Sequence, residues 1–222
     1  MPREFSTSEE QGLESKRPAE SRSTGVFRTI QPLVLASSSP RRRQLLRSVG
    51  LDFSVHPSCC DELLEPGEDP GSLVRAWAAR KARVISLLHP SSWILGADTI
   101  VLLDDVLFGK PGDPREAAAM LRRLSRRKHQ VVSAVCLLCR ERRQFHIRTV
   151  RTQVWFKKLD EEEIRAYVET GEPMDKAGAY GIQGAGAFLV CSIRGSYTNV
   201  VGLPLCETLE LLARQKVIAP AG

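Results

Sequence analysis

Four apolar residues, Leu33 to Ala36, run without interruption and stop at Ser37-Ser38-Ser39-Pro40. A short apolar run bounded by turn chemistry predicts a buried strand. Leu45, Leu46 and Val49 then recur at helical spacing up to Gly50, with Ser39 placed to cap the helix and Pro40 at its first position. Residues 53–55 read as extended. Residues 72–88 predict an amphipathic helix whose stripe is Val74, Trp77, Ala78, Val84, Ile85 and Leu88, ended by His89-Pro90. Residues 93–103 form a nearly continuous apolar strand that turns at Asp104-Asp105 into 106–108. After the loop Gly109-Lys110-Pro111-Gly112, Asp113 caps a helix from Pro114 to about Arg126, with Ala117, Met120, Leu121 and Leu124 inward.

Two strands follow at 130–139 and 145–156, and Asp160 with Glu163 makes a capping box for a helix ending at Gly171. A glycine-rich stretch, 178–186, leads to a strand at 188–193, and Pro204 opens a last helix through Leu212. Alternating strands and helices predict an α/β protein, and the adjacent long strands make its sheet mixed rather than purely parallel. Residues 1–30, rich in Ser, Glu, Arg and Gly with few aliphatics, read as a disordered tail. The folded domain is expected over 31–216, with 217–222 as a C-terminal tail.

With 222 residues, 42% hydrophobic and 26% charged, the chain suits one globular domain. No apolar run approaches bilayer length and the N-terminus has no apolar signal core, so no membrane partner is expected and the cytoplasm is the expected compartment. The net charge of +6 favours an anionic partner, leaving nucleotide, nucleic acid and membrane surface open. Six cysteines in a chain of this size do not read as a disulfide framework. Cys136 and Cys139 have metal-ligand spacing, but three residues apart on a strand they face opposite ways.

The informative residues are polar ones at apolar positions. Asp98 interrupts Ile94-Leu95-Gly96-Ala97-Asp98-Thr99-Ile100-Val101; there a carboxylate must bind a metal, pair with a cation or accept backbone N–H bonds. Lys81 lies in the middle of the apolar stripe of the 72–88 helix, either functional or with its stem snorkelling to water. At the Ser-Ser-Ser-Pro-Arg-Arg-Arg junction three cations, Arg41, Arg42 and Arg43, occupy a first helical turn where the dipole disfavours them. An anion at that N-terminus resolves the conflict. Lys110 in its Gly-Lys-Pro loop and Asp175-Lys176 before the glycine stretch add to a basic constellation around one buried carboxylate, which suits metal-dependent phosphate chemistry.

Leu35-Ala36-Ser37-Ser38-Ser39-Pro40-Arg41-Arg42, Gly96-Ala97-Asp98-Thr99-Ile100-Val101, Lys110-Pro111, the run from Gly171-Glu172-Pro173 to Ile182-Gln183-Gly184, and Asn199-Val200-Val201-Gly202-Leu203-Pro204-Leu205 together resemble the Maf family. The resemblance extends from about Leu33 to Leu212. It implies an elongated mixed sheet with flanking helices forming two lobes around a deep cleft, like that of inosine triphosphate pyrophosphatases. It also implies hydrolysis of a nucleoside triphosphate to the monophosphate and diphosphate with Mg²⁺ or Mn²⁺. By the same resemblance Ser37, Ser39, Arg41 and Arg42 line the phosphate end, Lys81 and Lys110 contact phosphates, Glu62 and Asp98 hold the metal, and Asp98 is the general base. Arg41, Thr99 and Gln183 stand where the family's dTTP and UTP branch has Arg, Thr and Gln. The Gln183 amide, donor and acceptor at once, matches the O4 and N3–H edge of uracil and thymine.

A 7-methyl-GTP pyrophosphatase of the same family is the nearest alternative. A non-catalytic basic protein of the division machinery is the other. Arg122, Arg123, Arg126, Arg127, Lys128, Arg140, Arg142 and Arg143 could track a nucleic-acid backbone, but no aromatic residues interleave with them as a stacking platform requires, so nucleic acid is not the expected partner. The oligomeric state stays open, a homodimer included.

Overall fold

The computed structural model describes residues 25–58, 60 and 69–222. In chain order the strands and α-helices are β1 (Phe27–Thr29), β2 (Leu33–Leu35), α1 (Pro40–Ser48), β3 (Ser54–Val55), α2 (Pro70–Leu88), β4 (Trp93–Leu103), β5 (Val106–Phe108), α3 (Pro114–Leu124), β6 (Lys128–Cys139), β7 (Gln144–Phe156), α4 (Glu161–Glu169), β8 (Val190–Arg194), α5 (Tyr197–Val201), α6 (Leu205–Arg214) and β9 (Ile218–Pro220). Seven strands form one sheet in the order β3-β2-β4-β6-β7-β8, with β5 against the end of β4. Strands β3, β2 and β4 are parallel and the remaining pairings antiparallel, the mixed α/β sheet expected from the pattern.

The caps are those the sequence spells out. Ser39 accepts from the N–H of Arg42 and Asp113 from that of Glu116, and Asp160 and Glu163 form the reciprocal capping box. Alternation along β4 divides the core. Ile94 and Ile100 join Val132, Ala134 and Cys136 beneath α2, whereas Leu95 and Ala97 join Leu46 of α1 and Leu211 and Leu212 of α6 on the opposite face. Farther along that second face Val101 and Leu103 pack with α3, Ile164 and Tyr167 of α4, and Phe156. Two packed lobes thus share one face of the sheet, and Thr99 lies between them. Cys136 and Cys139 fall in different clusters, on opposite faces as their spacing requires.

Helix α2 crosses the sheet closely at Gly96, where a Cβ would stand 2.3 Å from the Ala78 carbonyl oxygen. This contact centres its buried face on Ala78, Lys81, Ala82 and Ile85. The expected stripe is therefore corrected at its end: Val84 is 41% and Leu88 60% exposed, because the last turns overhang the sheet. The chain ends of the domain also differ from expectation. Phe27–Thr29 pairs antiparallel with Ile218–Pro220, so the ordered domain takes in residues assigned to both tails. Phe27 and Ile218 pack into the cluster under α6, which gives this short pairing its apolar support. Residues 1–24, the remainder of the expected N-terminal tail, lie outside the described residues.

One buried group makes stability depend on pH. His129 on β6 is 2% exposed, bonds through Nε2 to the Tyr180 hydroxyl at 2.8 Å, and packs edge-to-face on Phe156. Burial pushes its pKa down from 6.5 to about 4. Between those values the unfolded chain takes up a proton that the native one refuses, so stability is intact above pH 6.5 and falls as pH drops toward 4. The loss is on the order of 3 kcal/mol. Urea unfolding across that range should show this slope, and His129→Gln, whose amide reaches the same hydroxyl, should flatten it. An equal slope in the variant would assign the effect elsewhere.

Candidate active site

The sheet leaves a gap on one edge of β4. Strand β2 pairs with residues Trp93, Ile94 and Leu95, β5 pairs with Val101, Leu102 and Leu103, and neither reaches the stretch between. The last β2-side bond is Ala36 N–H to the Leu95 carbonyl, 2.9 Å. A cleft of about 600 Å³ opens at this gap, beyond the carboxyl end of β2, where α/β sheets commonly receive ligands. Among its described lining residues are five cations, Arg41, Arg42, Lys81, Lys110 and Lys176, and two carboxylates, Asp98 and Asp175. The excess of positive charge suits a polyanion.

Asp98 and Lys81 meet where α2 crosses β4. Asp98 lies on the α2 side of the strand, opposite Ala134, and is 3% exposed; Lys81, on the buried face of the helix, is 8% exposed. The Lys81 ammonium donates to Asp98 Oδ1. Each charge would be costly in this apolar layer alone, and together they stabilise each other in ionised form. Both were legible as misplaced polar residues, and the fold brings them into one site.

Arg42, Ser37, Ser39 and Thr99 form the wall on the other side of β4. Beyond Leu95 the next carbonyl on that edge is Ala97, and it accepts from Arg42 Nη1 at 2.8 Å. The same guanidinium donates to the Gly202 carbonyl at 2.8 Å, to Ser37 Oγ at 3.1 Å and to Thr99 Oγ1 at 3.3 Å. Arg42 is therefore a brace that satisfies the strand edge from α1, and these donors are turned to protein acceptors rather than into the cleft. Ser37 Oγ also receives the Ser39 N–H at 3.3 Å, while Ser39 Oγ caps α1. Thr99 Oγ1 bonds Ser133 Oγ at 2.9 Å, so its hydroxyl belongs to the same brace.

Arg41 faces the cleft and is held by Asp175, Nη1 to Oδ2 at 2.8 Å. Lys176 donates to Asp175 Oδ1 at 2.7 Å and to the Glu172 carbonyl at 2.5 Å. Burial pushes the Asp175 carboxyl up, but hydrogen bonds and charge from Lys176 and Arg41 outweigh it and hold the group below its ordinary value. This Asp175–Lys176 support for Arg41 was visible in sequence only as a pair of charges beside a glycine stretch. Trp77 and Tyr180 also line the cleft; the sequence pattern shows Trp77 only as part of an apolar stripe and Tyr180 only as part of the glycine-rich stretch.

Lys110 is exposed at the mouth of the cleft. Its loop is tied to the glycine-rich segment by Gly178 N–H to the Gly109 carbonyl, 2.9 Å, and Gly178 has a φ of +70° with Val101 where a Cβ would go. Gln183 lines the cleft with its side-chain amide engaged by no hydrogen bond among the described residues. Glu62, and Asp61 beside it, lie outside the described residues.

Among the described residues no group of three His, Cys, Asp or Glu side chains could cage a metal. A hard divalent cation needs no such cage where one or two carboxylates act with phosphate oxygens and water, and Asp98 supplies a carboxylate oxygen donor in a cleft wide enough for them. An oxygen donor of this kind fits a hard divalent cation. In the basic run at the end of α3, Arg122 pairs with Glu161 at 2.6 Å, Arg127 pairs with Asp104, and Arg123 stacks over Phe108. No helix among the described residues is long and apolar enough to cross a membrane.

A family model described as Maf-like protein matches residues 32–215. The chain is 47% identical over 194 residues to the dTTP/UTP pyrophosphatase of Desulfotalea psychrophila, covering 87% of this chain and 100% of the relative. It is 51% identical over 180 residues to the dTTP/UTP pyrophosphatase of Geobacter sp. strain M21, covering 81% of this chain and 93% of the relative. Among solved structures, a nucleoside-triphosphatase / dITP/XTP pyrophosphatase from Mycobacterium abscessus matches with a TM-score of 0.43 and 16% identity, covering 83% of this chain and 96% of that one.

Proposed function

Because this chain belongs to the Maf family, we propose that it is a dTTP/UTP pyrophosphatase, hydrolysing the bond between the α and β phosphates to give the nucleoside monophosphate and diphosphate. Relatives of that name, about half identical over almost their whole length, support the substrate. The observation that carries the reaction class is the buried Asp98–Lys81 pair at the edge of a cationic cleft.

In this reading the triphosphate enters with Arg41, Lys110 and Lys81 spread along its oxygens. Their charges neutralise the polyanion and favour the extra negative charge that develops on the departing diphosphate. Asp98, held by the Lys81 ammonium, is placed to act as the general base. The Asp98 carboxylate takes one proton from a water aligned on the α-phosphorus; the water oxygen forms the new P–O bond as the bond to the β-phosphate's bridging oxygen breaks. Arg42, Ser37 and Thr99 fix the strand edge that carries Asp98, so the base and phosphate sites keep one geometry. Asp98, with Glu62 as second ligand, would hold the divalent cation, which when bound supplies charge neutralisation at the phosphates. Gln183 reads the base through its open amide. Exposed free thiols at Cys191 and Cys206 suit the reducing cytoplasm.

Comparing kcat/KM for dTTP, UTP, CTP, GTP and 7-methyl-GTP tests the substrate assignment. dTTP and UTP should lead the series, and a lead by 7-methyl-GTP would move the chain to the other branch.

A further inference from the structure

Tyr167 on α4 is 2% exposed, and its hydroxyl meets polar groups of the glycine-rich segment. It donates to Glu172 Oε1 at 3.0 Å and accepts the Gly181 N–H at 3.1 Å. The Glu172 carboxylate in turn accepts two further backbone N–H groups, Ala185 on Oε2 at 2.9 Å and Gly186 on Oε1 at 3.1 Å. The anchored residues flank Gln183 on both sides. The glycines between them allow the close approach: a Cβ on Gly184 would stand 2.7 Å from Glu172 Oε2, and one on Gly186 2.4 Å from the Tyr167 oxygen. Gly184 also needs its φ of +70°.

We propose that Glu172, together with Tyr167, is a positioning residue for base recognition: the pair clamps the 181–186 loop so that the Gln183 amide is presented to the nucleobase in one orientation. The inference rests on the reading that Gln183 reads the base. A side chain can discriminate by hydrogen bonds only if its backbone is fixed, because a loop free to shift can re-pair its amide with the wrong edge. Within the loop residues 184 and 185 are exposed, so the polar clamp from below supplies fixity there. A carboxylate suits the position because both oxygens accept at once. An amide at 172 would aim its NH₂ group at a backbone N–H and lose at least one loop bond.

The test is steady-state kinetics of the parent, Glu172→Gln, Tyr167→Phe, the double variant and Gln183→Glu on dTTP, UTP and GTP, with melting curves to establish folding. Each clamp variant should lower kcat/KM for dTTP and UTP by about 10–100-fold, chiefly through KM, and change GTP by less than about 3-fold. The double variant should be about as impaired as the worse single one, since the two side chains act as a unit. A fall common to all three nucleotides, or an unchanged pyrimidine-to-purine ratio, overturns the proposal. If Glu172→Gln does not fold, Tyr167→Phe, which removes one oxygen from a buried ring, decides it alone. The base reading fails separately: a parent without pyrimidine preference, or Gln183→Glu with the parent's ratio, overturns both. A ratio changed by Gln183→Glu but not by the clamp variants overturns the clamp only.

Discussion

Asp98→Asn should lower kcat for dTTP by about 10²–10⁴-fold, the range for losing a general base. The substitution is nearly isosteric, and the Asn carbonyl can still accept from Lys81, which is within hydrogen-bonding reach of Oδ1. What disappears is the negative charge that takes the water's proton. Lys81 then loses a countercharge in a layer where Asp98 is 3% and Lys81 8% exposed, so some loss of stability accompanies the loss of turnover. The rate should therefore be measured at saturating substrate on protein shown by its melting curve to be folded. KM should change far less than kcat, because phosphate contacts through Arg41 and Lys110 survive. Near-parental kcat in folded, Mg²⁺-supplied Asp98→Asn would remove Asp98 from the role of base.

Gln183→Glu should reduce kcat/KM for dTTP and UTP by about 100-fold or more, because a site built to hydrogen-bond its substrate discriminates steeply once a donor is lost. The parent amide lines the cleft free of hydrogen-bond partners among the described residues, so it has both a donor and an acceptor for an imide edge. An ionised Glu has only acceptors and meets the O4 of uracil or thymine as repulsion. Lys81→Ala is the matching control and should weaken all triphosphates alike, since phosphates are common to them. If Gln183→Glu lowered every nucleotide by one factor, the residue would be acting on the triphosphate or the fold instead of the base.

The residues that announced the site were those whose chemistry contradicts their local pattern. A carboxylate inside an apolar strand and an ammonium inside an apolar helical stripe are costly unless they meet, and period alone put each on a buried face. The caps at Ser39, Asp113 and Asp160 were equally legible, because the stabilising partner of each lies within three residues. The pairing of β1 with β9 was hidden for the opposite reason: three-residue strands carry no period, and Phe27 finds its partner at Pro220. The family resemblance places Arg42 with Ser37, Ser39 and Arg41 at the phosphate end. Two of its acceptors, the carbonyls of Ala97 and Gly202, are 55 and 160 residues away, and nothing local to Arg42 points to them. The overhang of Val84 and Leu88 likewise depends on where Gly96 lets α2 touch the sheet, a property of the packed pair and not of the helix.

The most direct measurement is the identity of the products formed from dTTP in the presence of Mg²⁺, resolved by ion exchange and by ³¹P resonance. Cleavage between the α and β phosphates gives dTMP and diphosphate in equal amounts from the first turnovers, with no dTDP; that is the expected result. Release of dTDP with inorganic phosphate would mean cleavage between the β and γ phosphates and would contradict the account of the cleft at its centre.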